Sequence, residues 1–117
     1  MRGKSPLGKE GEELAVKLLK KQKYKIIERN YACPFGEIDI IAKAGDTLAF
    51  VEVKARGSLR YGSPQAAVDW RKQAKICKTA LYYIVQKKIE NMSIRFDVVA
   101  IGPEIELIKN AFEFRDR

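Results

Sequence analysis

The 117-residue chain has no histidine and only two cysteines. Without an imidazole it cannot build a Ser-His hydrolase site, a histidine-metal nuclease site or most zinc hydrolase sites. Cys33 and Cys77 form no Cys-x-x-Cys pair, so we expect neither a zinc knuckle nor a redox motif. The candidates for acid, base and metal-binding chemistry are therefore carboxylates, lysines and tyrosines.

Long apolar runs are also absent. No stretch approaches the roughly 18 apolar residues of a membrane helix, and residues 1–6 lack the apolar segment of a signal peptide. With 46% hydrophobic residues, the chain is long enough for one core and too short for two domains of ordinary size. We expect a single domain over residues 1–117, in a soluble, cytoplasmic protein.

Positive charge, by contrast, is abundant. The 23 Lys and Arg residues exceed the 15 Asp and Glu residues, which gives a formal net charge of +8. Such a charge favours polyanionic partners, because neutralised phosphates release their counterions. It also serves solubility alone, so composition leaves nucleic acid as one of two interpretations.

The spacing of apolar residues predicts an α/β fold of the order α-β-β-β-α-β-β, in which helices flank a mixed β-sheet. The predicted helices are 11–23 and a long helix that begins with Ser63 as N-cap and Pro64 at its first position. The predicted strands are 24–28, 37–42, 48–55, 94–101 and 106–108, with 30–36 as a loop. We expect the long helix to bury one stripe, formed by Ala67, Trp70, Ala74, Cys77, Leu81 and Ile84.

A tight turn at Gly45-Asp46 fixes how strands 37–42 and 48–55 pair. Counting outward from this turn pairs Asp39 with Glu52, and alternation places apolar residues such as Ile38 and Ile40 together on one face. Opposed side chains have Cβ atoms about 4.5–5.5 Å apart, where like charges repel. The other face carries Glu37, Asp39, Glu52 and Lys54.

This charged face has the composition of a metal site. Asp39 and Glu52, helped by the backbone carbonyl of Val53, offer the hard oxygen ligands that Mg²⁺ or Mn²⁺ prefers. Lys54 lies where an ammonium can orient an attacking water and stabilise the charge that develops on a phosphate. Glu12, at the border of the first helix's apolar stripe, is a candidate third carboxylate. Together these groups predict phosphodiester hydrolysis.

A structural interpretation of the same residues stays open. The hairpin could be a solvated surface in which Lys54 pairs with Glu37, and Glu12 could be an ordinary exposed helix residue. The position of Glu52 favours a site, because it interrupts the apolar run 48–53, typical of a buried strand. A carboxylate buried there is costly without a counter-ion.

Four blocks of sequence resemble the YraN-like family of small bacterial proteins: Gly11-Glu12, 36–39, 50–56 and 95–97. The likeness runs from about Gly8 to Phe112. That family is regarded as a group of endonucleases similar to archaeal Holliday junction resolvases, which implies the restriction-endonuclease-like fold and a PD-(D/E)xK site. By this resemblance Asp39, Glu52 and Glu12 would bind the metal and Lys54 would be the lysine of the motif.

The candidate nucleic-acid contacts are basic or polar residues that follow the motif. Some lie in the glycine-flanked loop after residue 54 and others on the predicted long helix, where a solvated helix face explains the lysines equally well. They are Arg56, Arg60, Tyr61, Gln65, Arg71, Lys72 and Lys75. We expect Trp70 to be a core residue or a dimer contact, and Asp97 to form a structural ion pair with Arg95.

Three functions follow from these patterns. The first is a Mg²⁺- or Mn²⁺-dependent endonuclease that acts on DNA, with branched or junction DNA as the substrate that the resemblance suggests. The second is a non-catalytic nucleic-acid-binding module on the same fold, and the third a protein-interaction adaptor. A homodimer would suit a two-fold junction, although nothing in the sequence shows one.

Overall fold

A computed structural model describes residues 8–55 and 68–114 of the chain. Its helices and strands follow the predicted order α-β-β-β-α-β-β. They are α1 (Gly8–Lys21), β1 (Lys25–Cys33), β2 (Gly36–Ala44), β3 (Thr47–Ala55), α2 (Trp70–Gln86), β4 (Ser93–Ile101) and β5 (Ile105–Phe112). Strands β1 and β5 are longer than predicted, so the expectation of a loop over 30–36 is wrong for most of that segment.

The five strands form one mixed sheet in the order β1-β2-β3-β4-β5. Only β3 and β4 pair in parallel, and α2 supplies the crossover that a parallel pair needs. Side chains of α2 pack on one face of the sheet and side chains of α1 on the other. This three-layer α/β arrangement is compatible with a restriction-endonuclease-like fold. The central strand β3 is covered on both faces, which explains its unbroken run of buried residues from Leu48 to Val53.

The hairpin of β2 and β3 has the predicted register near its turn. Gly45 adopts a φ of 62°, which the tight turn requires and glycine tolerates at little cost. The pairs run from Ala44↔Thr47 to Ile40↔Val51.

Helix α2 departs from the predicted long helix at both its start and its buried face. Asp69 is extended (φ −69°, ψ 170°) and its side chain caps the helix by accepting from the Lys72 N–H, so the prediction of one helix continuing from Ser63 is wrong. Trp70 is 58% exposed and Leu81 47% exposed. The residues that α2 buries are Gln73, Ile76, Cys77, Thr79, Ala80 and Tyr83.

The buried face of α2 is thus turned by roughly a quarter of a circle from the predicted stripe. Two polar residues can be buried there because each has a local acceptor for its hydrogen. Gln73 Nε2 donates to the Val68 carbonyl at 2.6 Å, and Thr79 Oγ1 donates to the Lys75 carbonyl at 2.8 Å. Neither described helix is long and apolar enough to cross a membrane.

Candidate active site

Asp39 lies at the point where β2 and β3 separate. The ladder ends at Ile40↔Val51, one residue short of Asp39, so the predicted backbone pairing of Asp39 with Glu52 is wrong. Beyond that point the Val53 N–H donates to Asp39 Oδ2 at 2.8 Å, so a carboxylate accepts the bond instead of a backbone carbonyl. The carboxylate of Asp39 therefore lies beside the Glu52-Val53 peptide.

The strand is irregular at this residue. Ile38 packs with the side chains under α2, whereas Ile40 packs with those under α1. A regular strand places residues i and i+2 on the same face, so the prediction that Ile38 and Ile40 share a face is wrong. Across from Asp39, Asn30 has a φ of 55° and lies between the pairs Arg29↔Ile40 and Tyr31↔Ile38. The break in alternation turns Asp39 out of the regular pleat and toward β3.

Glu52 is a buried carboxylate with two ammonium partners. Its side chain is 8% exposed, and its Oε2 lies 3.0 Å from Lys72 Nζ and 3.7 Å from Lys54 Nζ. Lys54 shares the face of Glu52 because the two residues are two positions apart on β3. Lys72 reaches Glu52 from the first turn of α2. Its ammonium therefore lies beside the carboxylates and not on the outer side of the helix with the other basic residues. Positive charge offsets the cost of burying Glu52.

Burial and the neighbouring charge of Glu52 raise the pKa of Asp39 to about 7. The Val53 N–H and Lys72 oppose this rise, and Glu12 adds to it. The pKa of Lys72 is also raised: burial would lower it, but Glu52, Asp39 and Glu37 together outweigh that effect. The site therefore combines a charged Lys72 with an Asp39 that keeps its proton to higher pH than an ordinary aspartate.

Glu12 is brought to the same end of the sheet but is held by β1. Its Oε1 accepts from Asn30 Nδ2 at 3.1 Å and pairs with Arg29 Nη2 at 3.4 Å, while Arg29 also pairs with Glu13 at 2.9 Å. Sequence reasoning missed Arg29 and Asn30, because the predicted strand ends at residue 28 whereas β1 continues to Cys33. The available signal was Asn30 itself, since asparagine tolerates positive φ better than most residues.

The predicted ligands only partly assemble. Within residues 8–55 and 68–114, no three Asp, Glu or Cys side chains lie close enough together to hold a metal ion. Asp39 and Glu52 nevertheless fit Mg²⁺ or Mn²⁺ as donors, because both offer hard carboxylate oxygens and the charge of Glu52 raises the pKa of Asp39, so a cation beside them would be favourable. The N–H and carbonyl of one strand residue point to the same side, so the Val53 carbonyl is directed toward Asp39 as well.

The other predicted contacts are spread over two regions. Arg56, Arg60, Tyr61 and Gln65 lie outside the described residues. Arg71 and Lys75 are exposed on α2. Arg71 Cζ lies 5.5 Å from the centroid of the Trp70 ring. The exposure of Trp70 contradicts the expectation of a core residue, and a dimer contact stays a prediction.

Asp97 belongs to a separate buried network in the sheet. Its fully buried carboxylate pairs with Arg95 Nε at 2.9 Å and accepts from Tyr24 Oη at 2.7 Å and from the Asn110 N–H at 2.9 Å. The predicted ion pair is confirmed. Burial and Asp97 raise the pKa of Tyr24 to about 12, although Arg95 opposes the rise. The hydrogen bonds of this carboxylate join β4 to β5 and to Tyr24, the residue that precedes β1.

Comparisons with known proteins agree along nearly the whole chain. The model described as "Uncharacterised protein family UPF0102" matches residues 11–101, a range that contains Glu12, Asp39, Glu52 and Lys54. A UPF0102 protein of Syntrophus aciditrophicus is 52% identical over 111 residues, covering 91% of this chain and 87% of the relative. A UPF0102 protein of Caldicellulosiruptor saccharolyticus is 47% identical over 116 residues, covering 93% and 98%. One of Thermodesulfovibrio yellowstonii is 52% identical over 107 residues, covering 91% and 95%.

Proposed function

Because the chain belongs to the UPF0102, or YraN-like, family and places a buried glutamate and a partly buried aspartate beside two lysines, we propose that it is a metal-dependent endonuclease of the PD-(D/E)xK kind that acts on DNA. One observation carries this proposal: the irregularity in β2 turns Asp39 toward the Glu52-Val53 peptide. Two neighbouring carboxylates removed in part from water repel each other, because the charge of Glu52 raises the pKa of Asp39, so their placement suits a cation.

Asp39, Glu52 and the carbonyl of Val53 are the groups that would hold Mg²⁺ or Mn²⁺. A bound metal of this kind would lower the pKa of a water and neutralise charge on a phosphate. Glu12 would complete the negative charge of the site from α1, where Arg29 and Asn30 fix its position. Asp39 has to give up its proton before it binds a cation well, which ties metal affinity to pH near neutrality.

The two lysines would act on the substrate. Lys54 is about a quarter exposed beside Glu52, where its ammonium can contact a phosphate oxygen and orient the attacking water. Lys72 neutralises Glu52 in the structure as it stands. If Glu52 held a metal, the Lys72 ammonium would be available to pair with the same phosphate. The net charge of +8 favours DNA over an uncharged substrate.

A non-catalytic nucleic-acid-binding module is the second candidate. Two observations favour it: Glu52 is already neutralised by Lys72, and the described residues contain no group of three carboxylates that could hold a metal. The basic surface would then carry the function and the carboxylates would be structural. The resemblance to resolvases adds branched or junction DNA to the substrates worth testing under either proposal.

Cleavage of labelled linear and four-way-junction DNA in Mg²⁺ or Mn²⁺ tests the leading proposal. We expect Glu52→Gln and Lys54→Met to abolish cleavage and to retain DNA binding. Glu13→Gln is the matched control, because Glu13 is an exposed carboxylate of the same end of the protein that also pairs with Arg29. Native protein that binds DNA but cuts none of these substrates with either metal would favour the binding module.

A further inference from the structure

Phe35 and Tyr82 form an aromatic pair on the surface. Their ring centroids are 5.9 Å apart with an interplanar angle of 67°, and the residues are 50% and 37% exposed. Phe35 lies in the turn between β1 and β2, and Tyr82 lies on α2. Exposed aromatic rings that the core does not use are typical of binding surfaces.

The turn that carries Phe35 is held firmly against α2. A Cβ atom at Gly36 would lie 3.1 Å from Thr79 Oγ1, so the backbone approaches the helix more closely than most residues with a side chain would allow. Gly36 also has a φ of 154°, which favours glycine. The Phe35 N–H donates to Cys33 Sγ at 3.4 Å within the turn. These contacts place the backbone of the turn next to α2, where the Phe35 ring meets Tyr82.

The aromatic pair lies at the end of a basic ridge on α2. Arg71, Lys75 and Lys78 are exposed, and with Tyr82 they follow one another at spacings of four, three and four, which places them on one side of the helix. We call these three basic residues, together with Phe35 and Tyr82, the outer ridge. Its first residue adjoins Lys72, which reaches Glu52. From Lys72 to Tyr82 the helix rises ~15 Å, the length of about four phosphates of a stacked strand at 3.4 Å each.

We propose that the outer ridge binds an unpaired DNA strand, with phosphates along the basic residues and a base stacked on the Phe35–Tyr82 pair. Stacking needs a base that is free of its partner strand, and a row of phosphates complements the three cations. A protein partner for the same ridge would need both a row of acidic side chains and a group that packs on aromatic rings, whereas every nucleotide of an unpaired strand carries a phosphate and a base. The inference rests on the proposed function and names its substrate class: DNA with a single-stranded segment beside the scissile phosphate.

Binding without cleavage tests the inference independently of catalysis. Fluorescence anisotropy in EDTA would compare a labelled single strand, a forked duplex and a blunt duplex of the same length. For Phe35→Leu/Tyr82→Leu we expect about tenfold weaker binding of the single strand and the fork, and less than twofold change on the blunt duplex. Leucine keeps the apolar contact between turn and helix, and thermal unfolding would verify that the variant folds.

Phe114→Leu is the matched control, because Phe114 is an exposed aromatic residue outside the outer ridge. It should leave all three affinities unchanged. Photo-crosslinking of native protein to a bromodeoxyuridine-containing strand gives a second readout, with crosslinks expected at Phe35 or Tyr82. The inference would be overturned by an equal loss of affinity for all three DNAs, by no loss for any of them, or by an equal effect of Phe114→Leu. If the double variant loses affinity only for the single strand and the fork, and native protein never cuts DNA, the result would support strand binding by the outer ridge and contradict only the proposed nuclease activity.

Discussion

Removing the ammonium of Lys72 should increase the affinity of the site for a divalent metal. Lys72 Nζ lies 3.0 Å from Glu52 Oε2 and so competes with any cation for that oxygen. At an effective dielectric constant of about 20, two unit charges at this distance attract by ~5 kcal/mol before desolvation. Because Lys72 is 45% exposed, solvent screening and desolvation reduce the net contribution to ~1 kcal/mol. For Lys72→Met we therefore expect Mn²⁺ to bind about fivefold more tightly.

Isothermal titration calorimetry with Mn²⁺ at pH 8 would measure this difference, with Lys75→Met as the control for loss of one positive charge from α2. Lys75 is exposed on the same helix, so its replacement should change the affinity little. If Lys72 had a purely structural role, Lys72→Met would bind Mn²⁺ more weakly than native protein, because a loosened site binds metal less well. Equal or weaker binding by Lys72→Met would refute the competition, whereas no binding by native protein would instead refute the metal site.

Three further predictions concern stability, each in metal-free buffer. The pKa of Asp39 is raised from 3.8 to about 7, so the protonated carboxyl contributes fully to stability below pH 4, and this contribution is lost as pH rises through 7. Asp39→Asn should therefore raise the Tm at pH 8 and not at pH 4. A change in Tm that is the same at both pH values would contradict the shift. Asn30→Ala should lower the unfolding free energy in urea by about 2 kcal/mol, through the lost bond to Glu12 and the cost of positive φ. Asn30→Gly keeps the backbone conformation and should cost about half as much, so equal losses would contradict the role of φ. Asp97→Ala should destabilise by about 3–5 kcal/mol because it leaves Arg95 without its buried partner, and a loss under 1 kcal/mol would show that the network is not needed.

The sequence by itself determined the order of the elements and the register of the β2–β3 hairpin near its turn. Both follow from local rules: apolar periodicity distinguishes strands from helices, and a glycine at positive φ fixes a tight turn. The spacing of Glu52 and Lys54 likewise implies a shared face, because a strand alternates. These features needed no knowledge of which distant segments meet.

Contacts between distant segments decided the rest. The rotation of α2 depends on which side chains the sheet accepts, and on local acceptors that allow Gln73 and Thr79 to be buried. The same rotation brings Lys72 to Glu52, although sequence spacing had grouped Lys72 with the outer lysines. The break in β2 at Asp39 lies opposite Asn30 of the neighbouring strand, which has a positive φ and donates to Glu12 of α1. Periodicity describes one segment at a time, so it could identify the charged residues of this site but not the geometry that brings them together.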